Sequence, residues 1–160
     1  MFEISKIITI KLIFIISVVA LASAFFIEHV LGHQPCNLCI LERIPYLLAI
    51  IIIILNYKFV HIEKLSILLL ILIFVSATIL SLYHLGIEQG FIQESLVCDL
   101  KSGSNLLSKE EILKQLQEKN VSCKDVTFKI FGLSLTSYNI LISLFITISA
   151  GKIYFNYDKN

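Results

Sequence analysis

The sequence predicts an all-α membrane protein, a bundle of four transmembrane helices with two loops on the outer side of the bilayer. Of its 160 residues, 57% are hydrophobic and only 16% are charged, and the mean hydropathy is +0.87. A soluble domain of this size needs more polar residues to cover its surface. Four apolar stretches, and the lysines between them, support the same fold class. The formal net charge of +1 gives no sign of nucleic-acid binding.

Each apolar stretch can cross a bilayer, which requires about 20 residues of helix. The four stretches are residues 7–27, 36–57, 65–85 and 133–155. Helix is expected throughout, because backbone exposed to lipid must satisfy its own hydrogen bonds. The outer loops are residues 28–35 and 86–132, and short surface helices are predicted in the second, near residues 91–100 and 108–120. Without an internal repeat or low-complexity linker, residues 1–160 are expected to form one domain.

The first stretch has an alternative interpretation as a secretory signal peptide. Ala22-Ser23-Ala24 follows an apolar run and resembles a signal-peptidase cleavage site. The apolar run nevertheless continues through Phe25-Phe26-Ile27 without a break, which favours an uncleaved transmembrane helix. Sequencing the mature N-terminus distinguishes the two.

Lysine placement predicts the orientation of the bundle, since short cytoplasmic loops carry an excess of Lys and Arg. Lys58 and Lys64 flank the turn between the second and third stretches, whereas the 28–35 loop has neither Lys nor Arg. Lysines also stand near both ends of the chain, at Lys6, Lys11, Lys152 and Lys159. Both termini are therefore expected in the cytoplasm of a bacterial cell, with the loops in the periplasm. All four cysteines would then face the oxidising side of the inner membrane.

Two of these cysteines, Cys36 and Cys39, form a Cys-x-x-Cys pair at the outer start of the second stretch. Pro35 suits the first position of a helix. Both cysteines would then lie in the first turn, where backbone N–H groups and the helix dipole favour thiolate over thiol. Their spacing to Arg43 places all three side chains on one face of the helix.

Helix length predicts how deep the charged pair Glu42 and Arg43 lies. Residues 44–57 would give roughly 21 Å of helix, too short for a bilayer, whereas residues 36–57 would give roughly 33 Å. The two charges are thus expected just inside the outer boundary. An unpaired charge there costs about 2 kcal/mol or more, so Arg43 is a functional candidate. The alternative is an Arg43–Glu42 or lipid-headgroup contact that only anchors the helix.

His84 is expected near the outer end of the third helix, at about the depth of Arg43. It could instead bond the last carbonyls of its own helix. Pro45 is expected to bend the second helix and free a carbonyl near the same site. The remaining histidines are interpreted as interfacial or solvated: His29, His33 and His61.

The second cysteine pair, Cys98 and Cys123, lies in the long polar loop with 24 residues between its members. A disulfide closing this loop could stabilise the fold by about 3 kcal/mol, so a purely structural bridge is a real alternative. A zinc site is disfavoured, because the pair is not a second close Cys-x-x-Cys and tetrahedral zinc needs four converging ligands. No resident metal is therefore expected.

Taken together, these residues resemble the DsbB family of membrane disulfide-bond formation proteins. Cys36-Asn37-Leu38-Cys39-Ile40-Leu41-Glu42-Arg43 is similar to the family's C-x-L-C-x-x-E-R signature. The likeness continues in Tyr83–Gly90, in Ser122–Asp125 and from Phe131-Gly132-Leu133-Ser134 to Asn139, so that it covers nearly the whole chain. The combination with two further outer cysteines is specific, whereas the individual parts are not.

The resemblance implies a thiol:quinone oxidoreductase that reoxidises a periplasmic DsbA-like thiol oxidase and passes the electrons to membrane quinone. It implies resting disulfides Cys36–Cys39 and Cys98–Cys123, with Cys98 forming the mixed disulfide and a transient Cys36–Cys123 bridge following. Cys39 would deliver the electrons to ubiquinone or menaquinone, near Arg43.

Glu42 and His84 would complete the quinone site, His84 by its similarity in place to a family residue. The absence of tryptophan departs from relatives with aromatic residues near the quinone; Phe91 or Tyr46 could substitute. A non-enzymatic membrane protein with purely structural loop disulfides remains the alternative.

Overall fold

A computed structural model describes residues 2–59, 62–93, 122–124, 129–130 and 132–157. Its elements, in chain order, are α1 (Phe2–His29), α2 (Asn37–Leu41), α3 (Ile44–Lys58), α4 (Glu63–Glu88), β1 (Lys129–Ile130), β2 (Leu133–Ser134) and α5 (Leu135–Tyr157). Four spans are long and apolar enough to cross a membrane: Lys6–His29, Asn37–Lys58, Glu63–Glu88 and Leu135–Asn156. The predicted fold class, an all-α four-helix membrane protein, is confirmed.

The second span is broken where the two charges lie. Helix α2 ends at Leu41, Glu42 and Arg43 form a turn, and α3 begins at Ile44. Pro45, in the first turn of α3, has no N–H to donate to the carbonyl of Leu41, which accounts for the break. The bend predicted at Pro45 is therefore present as a break at Glu42 and Arg43, three and two residues before the proline.

The predicted start of the second helix is wrong by two residues. Pro35 lies outside the helix, and Cys36 is the N-cap of α2 in extended conformation rather than a member of its first turn. The Cys36 sulfur accepts the backbone N–H of Cys39 at 3.2 Å, so a thiol does here what Ser or Asp usually does at a helix start.

The bundle core lies between α1, α3, α4 and α5, and α5 packs mainly on α4. Phe74 of α4 is fully buried, and Tyr46 meets its ring edge-on at 5.5 Å. Ala49 and Ala77 are also buried, and such small side chains let membrane helices approach closely. Many large apolar side chains point outwards instead, as expected of a bundle surrounded by lipid.

The two ends of α4 are fixed in different ways. At its start, Glu63 pairs with Lys6 of α1 at 2.9 Å, at the end of the bundle away from the cysteines. At its other end, the N–H groups of Phe91 and Ile92 both donate to the carbonyl of Gly86. A Cβ at Gly86 would lie 2.6 Å from Ile92 Cδ1, so glycine allows the chain to fold back over the helix end.

A two-residue hairpin leads into the last helix. Strands β1 and β2 pair antiparallel, Lys129 with Ser134 and Ile130 with Leu133, around Gly132 at a φ of 83°. Residues 133 and 134, predicted as the start of the fourth helix, therefore belong to β2. The surface helices predicted near residues 91–100 and 108–120 lie almost entirely outside the described residues; Phe91 is 88% exposed.

Candidate active site

The Cys-x-x-Cys pair lies at the start of α2 as two free thiols. The Cys36 and Cys39 sulfurs are 2.6 Å apart, with Cys36 buried and Cys39 partly buried. The two sulfurs are therefore close enough to exchange between dithiol and disulfide without moving the bundle helices.

The surroundings of Cys36 favour its thiolate. Hydrogen bonds from the Cys39 thiol and from His84, with the charge of His84 and the Cys39 backbone N–H, lower the pKa of Cys36 to about 5 against the opposing effect of burial. The thiolate is the reactive form in thiol–disulfide exchange. Cys36 is thus prepared for nucleophilic chemistry at neutral pH.

His84 is buried, 1% exposed, between the thiols and two carboxylates. Its Nε2 lies 3.5 Å from the Cys36 sulfur, and its Nδ1 lies 3.0 Å from Oε1 of Glu42. The Thr136 hydroxyl is 3.3 Å from Nδ1, and Oε1 of Glu88 is 3.9 Å from Nε2. His84 therefore contacts the reactive sulfur rather than only the carbonyls of its own helix.

The same cluster offers three donors to a metal ion. The two cysteine sulfurs and a ring nitrogen of His84 lie within 4.8 Å of one another. A tetrahedral zinc site would need a fourth ligand. Among the described residues, this is the group whose geometry could hold a metal.

Arg43 is directed to α1 and not to its neighbour Glu42. It donates to Oε2 of Glu28 at 2.5 Å, and its guanidinium carbon lies 5.3 Å from the centroid of the Phe25 ring. The Arg43 charge is therefore paired with a carboxylate and stacked on an aromatic ring. These two contacts offset much of the free-energy cost of placing a charge inside the membrane boundary.

A second polar network lies one turn deeper in the bundle. The Tyr46 hydroxyl donates to Oδ1 of Asn139, and the Asn139 amide donates to the Ser81 hydroxyl at 2.8 Å. Ser143 is 3.5 Å from the same tyrosine oxygen. These bonds join α3, α4 and α5 and fix Tyr46 and Asn139 at the cavity wall.

A cavity of about 330 Å³ connects these groups. Its polar wall includes both thiols, Cys123, Arg43 and Glu88, and its apolar wall comes largely from α1, through residues such as Ile16, Ala20 and Ala24. A mostly apolar cavity with a few polar groups on one side is typical of small-molecule sites.

Cys123 packs in one buried cluster with Cys36, Leu38 and Ile87. It is disulfide-bonded, while Cys36 and Cys39 are free. The predicted partner, Cys98, lies outside the described residues, so the Cys98–Cys123 pairing stays a prediction.

Comparison with known proteins identifies the family to which the chain belongs. The family model described as "Disulfide bond formation protein DsbB" matches residues 7–152. The chain belongs to the DsbB family. It is also 33% identical over 150 residues to the uncharacterized protein RP370 of Rickettsia prowazekii (strain Madrid E), which covers 91% of this chain and 85% of that protein. No solved structure matches the chain.

Membership of the DsbB family confirms the resemblance seen in the sequence. Together with the four candidate spans, it indicates a multi-pass membrane protein that acts in disulfide bond formation. The family implies disulfide oxidoreductase activity.

The structure brings together most of the residues predicted for a DsbB-type site. Five of them line one cavity with Cys123: Cys36, Cys39, Glu42, Arg43 and His84. Cys98 lies outside the described residues. Of the other described histidines, His29 contacts the carbonyl of Phe25 through Nδ1, and His33 lines the same cavity as the thiols.

Three further residues of the site were not predicted. Glu88 could have been found from its i, i+4 spacing to His84, which places both on one face of α4. Glu28 and Thr136 carry no such signal, because each meets its partner only across helices.

Proposed function

We propose that this DsbB-family protein is a membrane thiol:quinone oxidoreductase that reoxidises a periplasmic DsbA-like thiol oxidase by disulfide exchange. The observation that supports this most directly is the free pair Cys36 and Cys39 beside Cys123 at one cavity wall. A purely structural Cys98–Cys123 bridge would not require a second cysteine pair packed against Cys123.

The proposed cycle uses all four cysteines. Reduced partner attacks a Cys98–Cys123 disulfide and forms a mixed disulfide with Cys98, which releases Cys123. The Cys123 thiolate attacks Cys36 of the oxidised pair, so that a Cys36–Cys123 bond forms and Cys39 leaves as thiolate. Burial of Cys123 and Cys36 in one cluster supports this transfer. The second thiol of the partner then displaces Cys98, which leaves the partner oxidised, and Cys98 attacks Cys123 of the Cys36–Cys123 bridge. This step restores the Cys98–Cys123 disulfide and leaves Cys36 and Cys39 as a dithiol. The dithiol would regain its disulfide by giving two electrons and two protons to a membrane quinone.

The cavity residues fit a quinone, either ubiquinone or menaquinone. The ring would lie against the apolar α1 wall, with Cys39 and Arg43 beside it and Tyr46 as the aromatic neighbour. Glu42 and His84 would hold the polar side of the site. When bound, a quinone accepts the two electrons and two protons that a dithiol releases. Arg43 acts as a fixed positive group, and its pairing with Glu28 holds it in place.

We further propose that the site faces the periplasm, with both termini in the cytoplasm of a bacterial inner membrane. The support is the lysine pattern, since Lys58 and Lys6 stand at the end of the bundle opposite the cysteines. An oxidising compartment is also where reactive disulfides persist.

Quinone reduction by purified protein with reduced DsbA-type partner tests the proposal. Wild type is expected to turn over, and Cys39→Ala to lose quinone reduction while Glu63→Gln, at the far end of α4, retains it. Equal activity of wild type and Cys39→Ala would reject the mechanism. A Cys123→Ala variant should accumulate the mixed disulfide and identify the partner.

Thiol trapping in cells distinguishes the proposed enzyme from the alternative, a membrane protein whose disulfides are purely structural. The enzyme should show Cys36 and Cys39 changing oxidation level, with reduction of this pair lost when Cys98 and Cys123 are replaced. A Cys36–Cys39 disulfide that is permanent and indifferent to those replacements would indicate a structural role.

A further inference from the structure

The free thiol pair and His84 are spaced like ligands of one metal ion. The Cys36 and Cys39 sulfurs and a ring nitrogen of His84 lie within 4.8 Å of one another, and the Cys36 sulfur is 3.5 Å from Nε2 of His84. Ligands of tetrahedral zinc, at about 2.0–2.3 Å from the ion, lie about 3.3–3.8 Å from each other. The two sulfurs, 2.6 Å apart, would need to separate by about 1 Å to reach this spacing, which a small side-chain rotation provides.

A fourth donor is available on the same face of α4. Glu88 follows His84 by four residues, the spacing at which one helix presents two ligands to one ion. Its side chain is 7% exposed, and its Oε1 lies 3.9 Å from Nε2 of His84. Its Oε2 is buried and has no hydrogen-bond partner within the described part of the chain. Such an oxygen calls for an explanation, and Glu88 lines the same cavity as the thiols.

Both side chains on α4 are also held by further hydrogen bonds, as metal ligands usually are. Oε1 of Glu42 is 3.0 Å from Nδ1 of His84, which leaves Nε2 on the side of the Cys36 sulfur. The Thr136 hydroxyl donates to Oε1 of Glu88 at 2.6 Å, which leaves Oε2 open to an ion. The supporting contacts of a metal site are therefore present together with its donors.

We propose that the reduced thiol pair binds Zn²⁺ together with His84 and Glu88. Two thiolates, one imidazole and one carboxylate form a donor set that suits this borderline-soft ion. The second cysteine pair is not required, because α4 supplies the two ligands that the Cys-x-x-Cys pair lacks. Binding displaces the proton on Nε2 of His84 and the proton shared by the two sulfurs, and both protons leave to solvent. No electrons are transferred.

The proposed site exists only while the thiol pair is reduced. Sulfurs joined in the Cys36–Cys39 disulfide have no thiolate to offer to a metal ion. Conversely, two sulfurs bound to one ion cannot form a disulfide, so Zn²⁺ holds the pair in its reduced form. The ion is therefore a reversible inhibitor and not a resident cofactor. This inference goes beyond the proposed function, since metal binding itself requires neither quinone nor a partner protein.

Zinc binding is measured on full-length protein in lipid nanodiscs, with Cys98→Ala and Cys123→Ala so that Cys36 and Cys39 are the remaining cysteines. The reduced protein and the same protein with its Cys36–Cys39 disulfide are each titrated with Zn²⁺ against a chromogenic chelator. The reduced form should bind one ion per chain, and the disulfide form should bind about 100-fold more weakly or less. Zinc X-ray absorption of the reduced form should show two sulfurs at about 2.3 Å and two nitrogen or oxygen ligands at about 2.0 Å.

Substitutions on α4 and α5 distinguish this site from nonspecific binding to a dithiol. Glu88→Gln removes the fourth anionic donor and should weaken Zn²⁺ binding about 100-fold. Thr136→Val removes a supporting hydrogen bond and should weaken binding about tenfold, and Thr136→Ser should restore it. Glu63→Gln is the matched control, because it makes the same chemical change at the first residue of the same helix, where the carboxylate pairs with Lys6. Its Zn²⁺ affinity should be unchanged.

Equal Zn²⁺ affinity of the reduced and disulfide forms would overturn the proposal. This comparison does not depend on any substitution in α4, so it decides even if Glu88→Gln fails to fold. An unchanged affinity in folded Glu88→Gln, or an absorption spectrum with fewer than two sulfur ligands, would overturn it as well.

Inhibition is measured on the unsubstituted protein, reduced and incubated with Zn²⁺ before quinone is added. Free Zn²⁺ at about ten times its measured Kd should lower the initial rate of quinone reduction about tenfold, and a chelator should restore the rate. An undiminished rate would show that the ion does not hold the pair reduced and would overturn the proposal. Absence of quinone reduction without zinc would instead reject the proposed function, and the binding titration would still decide the metal site. The two failures are therefore distinguishable.

Discussion

Cys39 is predicted to control the acidity of its neighbour. Its thiol makes the largest contribution to the low pKa of Cys36, about 5 against an ordinary value of 9.0. At pH 7 these two values correspond to thiolate fractions of about 99% and about 1%. Replacing Cys39 by Ala removes the donor while the opposing effect of burial stays, so the pKa of Cys36 should rise.

The size of this change follows from one hydrogen bond to a charged acceptor, which contributes about 1.5–3 kcal/mol. At 1.36 kcal/mol for each pH unit, the midpoint should rise by about one to two units, and alkylation of Cys36 near about pH 6 should fall about 2- to 10-fold. Cys39→Ser keeps a donor in place and is the matched control, expected to fall between wild type and Cys39→Ala.

The assay is pH-dependent alkylation of the reduced protein, quantified on the Cys36 peptide. The sign follows from the direction of the pKa change: a lowered pKa keeps Cys36 reactive as the pH falls towards about 5, and a raised one removes this reactivity first at acidic pH. A Cys39→Ala variant with the wild-type profile would show that the Cys39 thiol does not stabilise the thiolate.

Three further predictions concern the cavity wall and the helix ends. Arg43→Lys should raise KM for quinone about tenfold with a smaller change in kcat, because an ammonium cannot replace the planar guanidinium; steady-state quinone reduction measures this. Tyr46→Phe leaves Asn139 without its donor and should lower the free energy of unfolding by about 1–3 kcal/mol, measured by thermal unfolding in detergent. Gly86→Ala should lower stability by about 1 kcal/mol through its contact with Ile92, and Ile92→Ala in the same chain should restore it.

Each of these has a contrary result. An unchanged KM in Arg43→Lys would mean that the guanidinium does not contact the quinone. If Tyr46→Phe has the same free energy of unfolding as wild type, the hydrogen bond from the Tyr46 hydroxyl to Asn139 makes no net contribution to stability. A Gly86→Ala loss that Ile92→Ala does not relieve would place the strain in the backbone and not in that contact.

Hydropathy alone predicted the four spans to within about three residues at each end, because lipid imposes both length and helical structure. The N-cap role of Cys36 was not predicted from the sequence. Pro35 is compatible with a helix that begins at Pro35, as predicted, and also with the observed helix that begins at Asn37. The depth argument correctly brought Arg43 and His84 to one cavity. It could not predict Glu28 as the partner of Arg43, because that contact depends on how α1 rotates against α3.

The hydrogen bond between Thr136 and Glu88 also joins the two ends of the long connection. The chain leaves the bundle just after Glu88 and returns to it at Leu135. A displacement of either described end of that connection would therefore reach the Thr136 hydroxyl, which lies 3.3 Å from Nδ1 of His84 and so within the group that surrounds Cys36. Binding of a protein to the connection and the chemistry of the sulfur atoms would in this way be coupled through the end of α4.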